Sequence, residues 1–196
     1  MKQELTRCPW PVADDPLYVA YHDREWGVPI HDDRKLYEFL VLETFQAGLS
    51  WRTVLHKREN FRQAFAKFDY RAVAKFNAKD ITRLVADAGI IRNRAKILAA
   101  INNAERLLEV RQEFGTFAKY MWSWVGGQPI IYRRRTIKDV PPYTDEAFAW
   151  AKDLKKRGFK FLGPTVVYAH MQAVGMVNDH TINCFRYEQL KNEKNP

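Results

Sequence analysis

Glu43 stands in the run Phe39-Leu40-Val41-Leu42-Glu43-Thr44-Phe45-Gln46-Ala47-Gly48-Leu49-Ser50-Trp51. Leu36, Leu40, Glu43 and Ala47 recur at three- and four-residue steps, so on a helix the acid shares the stripe that faces the core. Burying an ionised carboxylate without partners is costly, so such a group is paired, raised in pKa, or functional. Two readings stay open: a structural acid that caps a backbone or pairs with an Arg, and a carboxylate that works at the floor of a pocket.

Two further sets of residues carry chemistry. His180 and Cys184 are four residues apart, which on a helix puts both on one face, as a metal pair requires. The only other cysteine, Cys8, precedes His22 near the opposite end, so a Cys2His2 zinc site would staple the two ends and, with four protein ligands, would be structural. The alternative is two unrelated reduced cysteines acting as small buried hydrophobes. Six tryptophans, together with Tyr18 and Tyr21 beside His22 and Trp51 eight residues after Glu43, supply flat apolar surfaces. Most belong to a core, but a few could stack on an extruded nucleobase while Glu43 accepts from its exocyclic amine.

The elements that must position these groups are helical. Pro16 opens a short helix through His22, and Asp32 or Asp33 caps a longer one that runs to Ala47 before Gly48. Trp51, Val54 and Leu55 begin another, and Phe61, Ala64, Phe65 and Phe68 give a short amphipathic stretch. Asn77 and Asp80 form a capping pair for a helix that closes at Gly89. After the turn Gly89-Ile90-Ile91-Arg92-Asn93, the residues Ile97, Ile101, Ala104 and Leu108 keep helical period. Backbone N–H groups at that turn, with Arg92, Arg94 and Lys96, could hold a phosphate without reading sequence; an ordinary helical hairpin is the alternative. A helix from Phe117 to Trp124 ends at Gly126-Gly127, and 128–143 reads as a long exposed loop or a change of lobe. Helices around Ala147 to Leu154 and from a Thr165 cap to Val174 follow, and Gly175 and Asn178 bracket the start of the last. The pattern is all-α, with no repeats, and 191–196 is a polar tail.

With 196 residues, 46% of them hydrophobic, the chain suffices for one folded domain over 1–190, or for two small lobes sharing a core. Lys and Arg total 32 against 23 Asp and Glu, a net charge of +9 that favours a polyanionic partner. The positive charge clusters at Arg92 to Lys96, Arg133 to Arg135 and Lys155 to Lys160, which points to nucleic acid. No apolar run is long enough to span a bilayer, Met1 to Leu5 lack the apolar core of a signal peptide, and two cysteines are too few for a disulfide framework. The chain reads as intracellular and soluble.

Five blocks of residues stand out in order: Tyr21-His22-Asp23-Arg24-Glu25-Trp26-Gly27-Val28-Pro29, Leu42 to Trp51, Asp87-Ala88-Gly89-Ile90-Ile91-Arg92-Asn93-Arg94, Lys156-Arg157-Gly158-Phe159-Lys160-Phe161, and Met171-Gln172-Ala173-Val174-Gly175-Met176-Val177-Asn178-Asp179-His180. Together they resemble the DNA-3-methyladenine glycosylase I family. The resemblance implies a helix-hairpin-helix fold, with the hairpin and its helices over about 77–112. It carries zinc ligands onto Cys8, His22, His180 and Cys184, and makes Glu43 the residue that contacts the alkylated adenine. It makes Trp10, Tyr18, Tyr21, Trp26 and Trp51 the base-binding aromatics. DNA contacts fall on Gln46, Gly48 and Leu49, and on Gly89, Ile91, Arg92, Arg94 and Lys96. Phe45 stands where some members carry Gln, at the expected pocket rim. The family lacks the hairpin-associated catalytic Asp of other glycosylases in this fold, so no Asp takes that part.

The resemblance further implies hydrolysis of the N-glycosidic bond of N3-methylated adenine in double-stranded DNA by a monomer. Free base and an abasic site would result, without an organic cofactor and in the cytoplasm, at the nucleoid when bound to DNA. A non-enzymatic DNA-binding or lesion-sensing module would keep the hairpin and the basic clusters but would not need Glu43 in an aromatic pocket. A glycosylase for another damaged base would share nearly every feature.

Overall fold

A helix buried on every side occupies the centre of the computed structural model, which describes residues 5–192. This helix, α2 (Asp33–Gln46), opens where the Asp32 carboxylate accepts the Lys35 N–H at 2.8 Å, and it ends before Gly48, whose φ of 84° turns the chain away. Every residue from Leu36 to Phe45 is buried, so Glu43 lies inside a helix packed all round and not on a single apolar stripe. The second candidate cap, Asp33, does something else. Its carboxylate accepts the N–H groups of Phe117 at 3.1 Å and Ala118 at 2.9 Å and pairs with Arg111, which ties the start of α2 to that of α8 (Phe117–Ser123).

Around α2 pack α3 (Trp51–His56), α7 (Arg94–Phe114), α8 and α10 (Pro164–Ala173). Before it comes α1 (Pro16–Arg24), capped by Asp15 and extending two residues past His22. Between α3 and α7 lie α4 (Arg58–Ala64), α5 (Tyr70–Val73) and α6 (Ala78–Ala86), the first two joined by a 3-10 turn that delivers Phe65 and Phe68 to the core. The Asn77 and Asp80 capping box opens α6 as its spacing predicts, but the helix stops at Ala86 and the turn begins at Asp87. Helix α7 continues beyond Leu108 to Phe114 because nothing breaks it before Gly115.

The structure adds a two-stranded parallel sheet to the helices that the sequence pattern predicts. β1 (Ile130–Ile131) pairs with β2 (Val177–Asn178), and an isolated bridge between Arg134 and Thr181 prolongs the contact. Two-residue strands are too short for alternation to reveal them. The crossover between them is made by α9 (Asp145–Lys156) and α10, the latter opened by Pro164 behind Gly163 and not by a Thr165 cap. The segment 128–143 is therefore no free loop. The last helix, α11 (Phe185–Asn192), starts only after Cys184. Met1 to Glu4 and the end of the polar tail from Glu193 lie outside the described residues, among which no helix is long and apolar enough to cross a membrane.

Between α10 and β2 the chain passes directly beneath the Val28-Pro29 peptide. Gly175 has a φ of 76°, and a Cβ there would come within 2.4 Å of Pro29 N and Val28 C. Gly175→Ala is expected to lower stability by more than ~2 kcal/mol, because backbone and not a flexible side chain would have to give way. Chemical denaturation monitored by circular dichroism reads this directly, and an unchanged midpoint would refute it.

Candidate active site

Glu43 sits in the last turn of α2, 4% exposed, on the wall of a cavity of about 230 Å³. The same cavity is lined by Trp10, Tyr18, Tyr21, Trp26, Trp51 and Gln46, so the five aromatics predicted to bind a base surround one carboxyl group. That group has no hydrogen-bond donor and no cation beside it among the described residues. Burial alone pushes its pKa up from 4.5 to about 8. The structural reading of Glu43 required a cap or an Arg, and neither is there. Arg58 is committed to Glu38 at 2.5 Å and Glu25 at 2.7 Å.

The walls come from three elements. Trp51 opens α3, where the Ser50 hydroxyl accepts the Thr53 N–H, and its ring lies 5.2 Å from Tyr21 and stacks at 18° on Phe39. Tyr18 and Tyr21 project from α1. Trp10 stands at the centre of the N-terminal segment, with ring centroids 5.2 Å from Tyr18, 6.3 Å from Tyr21 and 5.1 Å from Trp26. Buried Asp15 fastens α1 to α3: it accepts from Arg52 at 2.6 Å, from His56 at 2.7 Å and from the Tyr18 N–H at 3.1 Å. The His56 bond, helped by Arg52, pulls the Asp15 carboxyl down to about 2. Tyr21 is enclosed, and burial, followed by the nearby Glu43, holds its phenol well above its ordinary value, so it stays neutral.

Four lining residues were given no role from the sequence, although Gln172 lies in one of the blocks that carry the resemblance. Ile137 and Val140 reach the cavity from the 128–143 segment, and Ala169 and Gln172 reach it from α10. Phe45, expected at the rim, is fully enclosed and packs edge-on against Phe61 at 4.8 Å. Being one helical position from Gln46 and two from Glu43, it points to the opposite side of α2.

At the mouth, Gln46 is part-buried while Gly48 and Leu49 form an exposed turn, with Leu49 44% accessible. The hairpin between α6 and α7 exposes Arg92 and Arg94, and the N–H groups of Ile91 and Arg92 have no acceptor among the described residues. Two expected phosphate contacts are used internally instead. The Gly89 N–H donates to Asp87 at 2.8 Å, and Gly89 is needed for space, since a Cβ would meet Asp87 at 2.9 Å and Asn60 at 3.2 Å. Lys96, 7% exposed, donates to the carbonyls of Phe45 at 3.0 Å and Ala47 at 2.5 Å, where it neutralises the C-terminal end of α2.

Behind Trp10 and Trp26, the ligating atoms of Cys8, His22, His180 and Cys184 lie within 4.8 Å of one another, all buried. His180 and Cys184 are not on a helix, as their spacing suggested. They flank a tight turn in which the Cys184 N–H donates to the Thr181 carbonyl at 2.8 Å. The sulfur-to-nitrogen separations are 3.4, 3.5 and 3.6 Å. A tetrahedral ion with bonds of about 2.3 Å to sulfur and about 2.0 to 2.1 Å to nitrogen requires about 3.5 Å. The outer nitrogens fix the tautomers: His22 Nδ1 donates to Asp23 at 2.8 Å, itself held by Arg7, and His180 Nε2 donates to the Trp26 carbonyl at 3.2 Å. Both acceptors lack protons, so the inner nitrogens present lone pairs to the centre. The cluster can hold a metal ion.

The family model for methyladenine glycosylases matches residues 10–187. The chain belongs to the methyladenine glycosylase family. It is 51% identical over 183 residues to DNA-3-methyladenine glycosylase 1 of Escherichia coli (strain K12), covering 93% of this chain and 97% of that protein. A crystal structure of 3-methyladenine DNA glycosylase I matches with a TM-score of 0.89 and 51% identity over 92% of this chain and 98% of the other. The Staphylococcus aureus enzyme, in a structure concerned with 3-methyladenine recognition, matches with a TM-score of 0.90 and 37% identity over 98% and 100%. For a methyladenine glycosylase, a carboxyl group kept without a partner inside an aromatic box is the feature to explain.

Between pH 4.5 and about 8 the folded chain keeps a proton on Glu43 that the unfolded chain has lost, so this group's contribution to stability falls as pH rises through that window. Glu43→Gln, which cannot ionise, should therefore gain stability relative to the wild type from pH 4.5 to 8, by roughly a few kcal/mol, with a constant difference above and below. Denaturation midpoints across that range measure it. A difference that does not vary with pH would mean Glu43 ionises normally.

Proposed function

We infer that this chain is a DNA-3-methyladenine glycosylase that hydrolyses the N-glycosidic bond of N3-methylated adenine in double-stranded DNA. The observation that carries the reading is the partnerless Glu43 carboxyl in an aromatic cavity of about 230 Å³, below the ~300 to 1,000 Å³ of sites for drug-sized ligands and suited to one base. Alkylation at N3 makes adenine cationic and weakens its bond to the sugar, so extrusion, orientation and desolvation are the main tasks left to the protein. Trp51, Tyr21 and Trp10 stack on the extruded base. Glu43 accepts from its exocyclic amine.

The charge state of Glu43 supplies selectivity. In the free cavity the acid is largely protonated at neutral pH, because burial holds its pKa at about 8. A cationic base brings the missing partner, and the carboxyl ionises against it, releasing a proton to solvent. Neutral adenine brings no such charge and binds less well. When the glycosidic bond breaks, its electron pair goes to the base, which leaves neutral, and water adds to the sugar carbon with loss of a proton. Among the described residues no lysine lines the cavity, which supports release of free base and an abasic site without a lyase step.

DNA is gripped beside the cavity mouth by the Leu49 turn and by the hairpin with Arg92 and Arg94. The enzyme acts as a monomer inside the cell. Zinc is the metal that Cys8, His22, His180 and Cys184 suit, as a tetrahedral set of two sulfurs and two nitrogens. With four protein ligands it has no open position for substrate, so its role is structural: it holds the segment bearing Trp10 against the rest of the pocket.

Two measurements test this. Release of 3-methyladenine from a duplex carrying that single lesion should fall about a hundredfold or more in Glu43→Gln, with the fold intact. Full activity would remove Glu43 from the mechanism, and no release by the wild type would remove the enzyme. Metal analysis should give about one zinc per chain, with a lower melting point after chelation, and a stoichiometry near zero in well-folded protein would exclude the staple.

A further inference from the structure

Besides Glu43 and Gln46, Gln172 brings a polar side chain to the cavity, from α10, and its amide is held in one orientation. The guanidinium of Arg134 donates to Asp179 Oδ1 at 2.8 Å and to the Tyr168 oxygen at 3.2 Å. Arginine only donates, so Tyr168 accepts from it and gives its own proton to Asp179 Oδ2. Asp179 is 2% exposed and, paired with Arg134, is an acceptor only. The Gln172 group 2.8 Å from Oδ2 must therefore be the donor, Nε2. The carbonyl Oε1, on a residue that lines the cavity, is left with no partner among the described residues.

We propose that Gln172, oriented by Asp179, is a specificity-determining residue: its Oε1 reads the exocyclic amine of the extruded adenine and rejects a base that carries a carbonyl oxygen at that position. The inference rests on the cavity being the base pocket of a glycosylase. Adenine and guanine differ at this point of the ring, an amino donor in one and an oxygen acceptor in the other. Glu43 alone does not separate them, since a carboxyl accepts from an amine when ionised and donates to a carbonyl when protonated. Gln172 has no such freedom while Asp179 holds its nitrogen. An oxygen facing Oε1 in a dry pocket leaves two acceptors unpaired, which is the costly arrangement. Asp179 is the positioning residue.

The test compares kcat/KM for release of 3-methyladenine and of 3-methylguanine from duplexes identical in sequence around the lesion. Gln172→Met keeps the length of the side chain and removes the acceptor, so the adenine-to-guanine ratio should fall about tenfold. Asp179→Asn keeps Oδ1 for Arg134 but places a donor where Oδ2 was. Gln172 can answer it only with Oε1, which turns the amide nitrogen toward the cavity, so the ratio should fall further than in Gln172→Met. Because Asp179 adjoins His180, zinc content and melting point are measured for each variant; if Asp179→Asn does not fold, Gln172→Met decides alone. A wild-type ratio in folded Gln172→Met, or equal losses on both substrates, overturns the proposal while leaving the glycosylase intact. Failure of the wild type to release 3-methyladenine overturns the glycosylase reading, and this proposal with it.

Discussion

The placement of one acidic side chain without a partner constrains the rest of this molecule. A chain with a net charge of +9 has cations to spare, yet among the described residues none pairs with Glu43. Arg58 is locked between Glu38 and Glu25 and lies with its guanidinium 5.1 Å from the Phe39 ring, behind the aromatic wall and not in the cavity. Arg52 is turned to Asp15, and Lys96 to the last carbonyls of α2. Had any of these reached Glu43, the carboxylate would be satisfied and a cationic base would gain little by entering. Burial alone disfavours the charged form of this carboxyl, and a cation entering the cavity would offset that cost where a neutral molecule would not.

Such a pocket needs walls that do not move, and the walls interleave along the chain with the four Cys and His residues that can hold a metal ion. Trp10 follows Cys8 by two positions and Trp26 follows His22 by four. In space, the Trp10 ring is 5.0 Å from His22 and the Trp26 ring 4.5 Å from His180. The segment from Leu5 to Asp15 has no regular structure of its own, so the position of Trp10 depends on what holds Cys8. Besides the cluster, the Phe185 N–H bond to the Thr6 carbonyl, the Arg7 pair with Asp23 and the Asp15 bonds to α3 secure this segment. A few side chains thus replace the helix that would otherwise be needed to carry a pocket wall.

What the sequence reveals about this site follows from where each function resides. Glu43, the aromatics and the two Cys and His pairs are legible because their side-chain chemistry is unusual for their surroundings whatever the fold. Gln172, Ile137, Val140 and Ala169 are ordinary residues for a helix or a loop, and only tertiary packing brings them to the cavity. Lys96 was misleading for the same reason. A lysine near a basic hairpin reads as a phosphate contact, but the end of α2 lies within reach of its amine and takes it. The Pro16 start of α1 and the caps of α2 and α6 were readable because such signals are local; the parallel pairing of β1 with β2 joins residues nearly fifty positions apart and leaves no local trace.

The internal use of Lys96 also ties the start of α7 to the end of the helix that carries Glu43. Its amine holds the carbonyls on either side of Gln46, at the start of the turn that exposes Leu49. On the opposite side of the hairpin, Lys57 and Asn60, just beyond α3, both donate to the Gly89 carbonyl at 3.1 Å. The hairpin is thus stitched to the end of α2 and to the segment after α3, the two elements that carry Glu43 and Trp51. Phosphates gripped at Arg92 and Arg94 would stand at a fixed offset from the Leu49 turn and from the carboxyl behind it. A rigid offset confines an extruded nucleotide to one path, and the cavity then has only to accept or refuse the base that arrives.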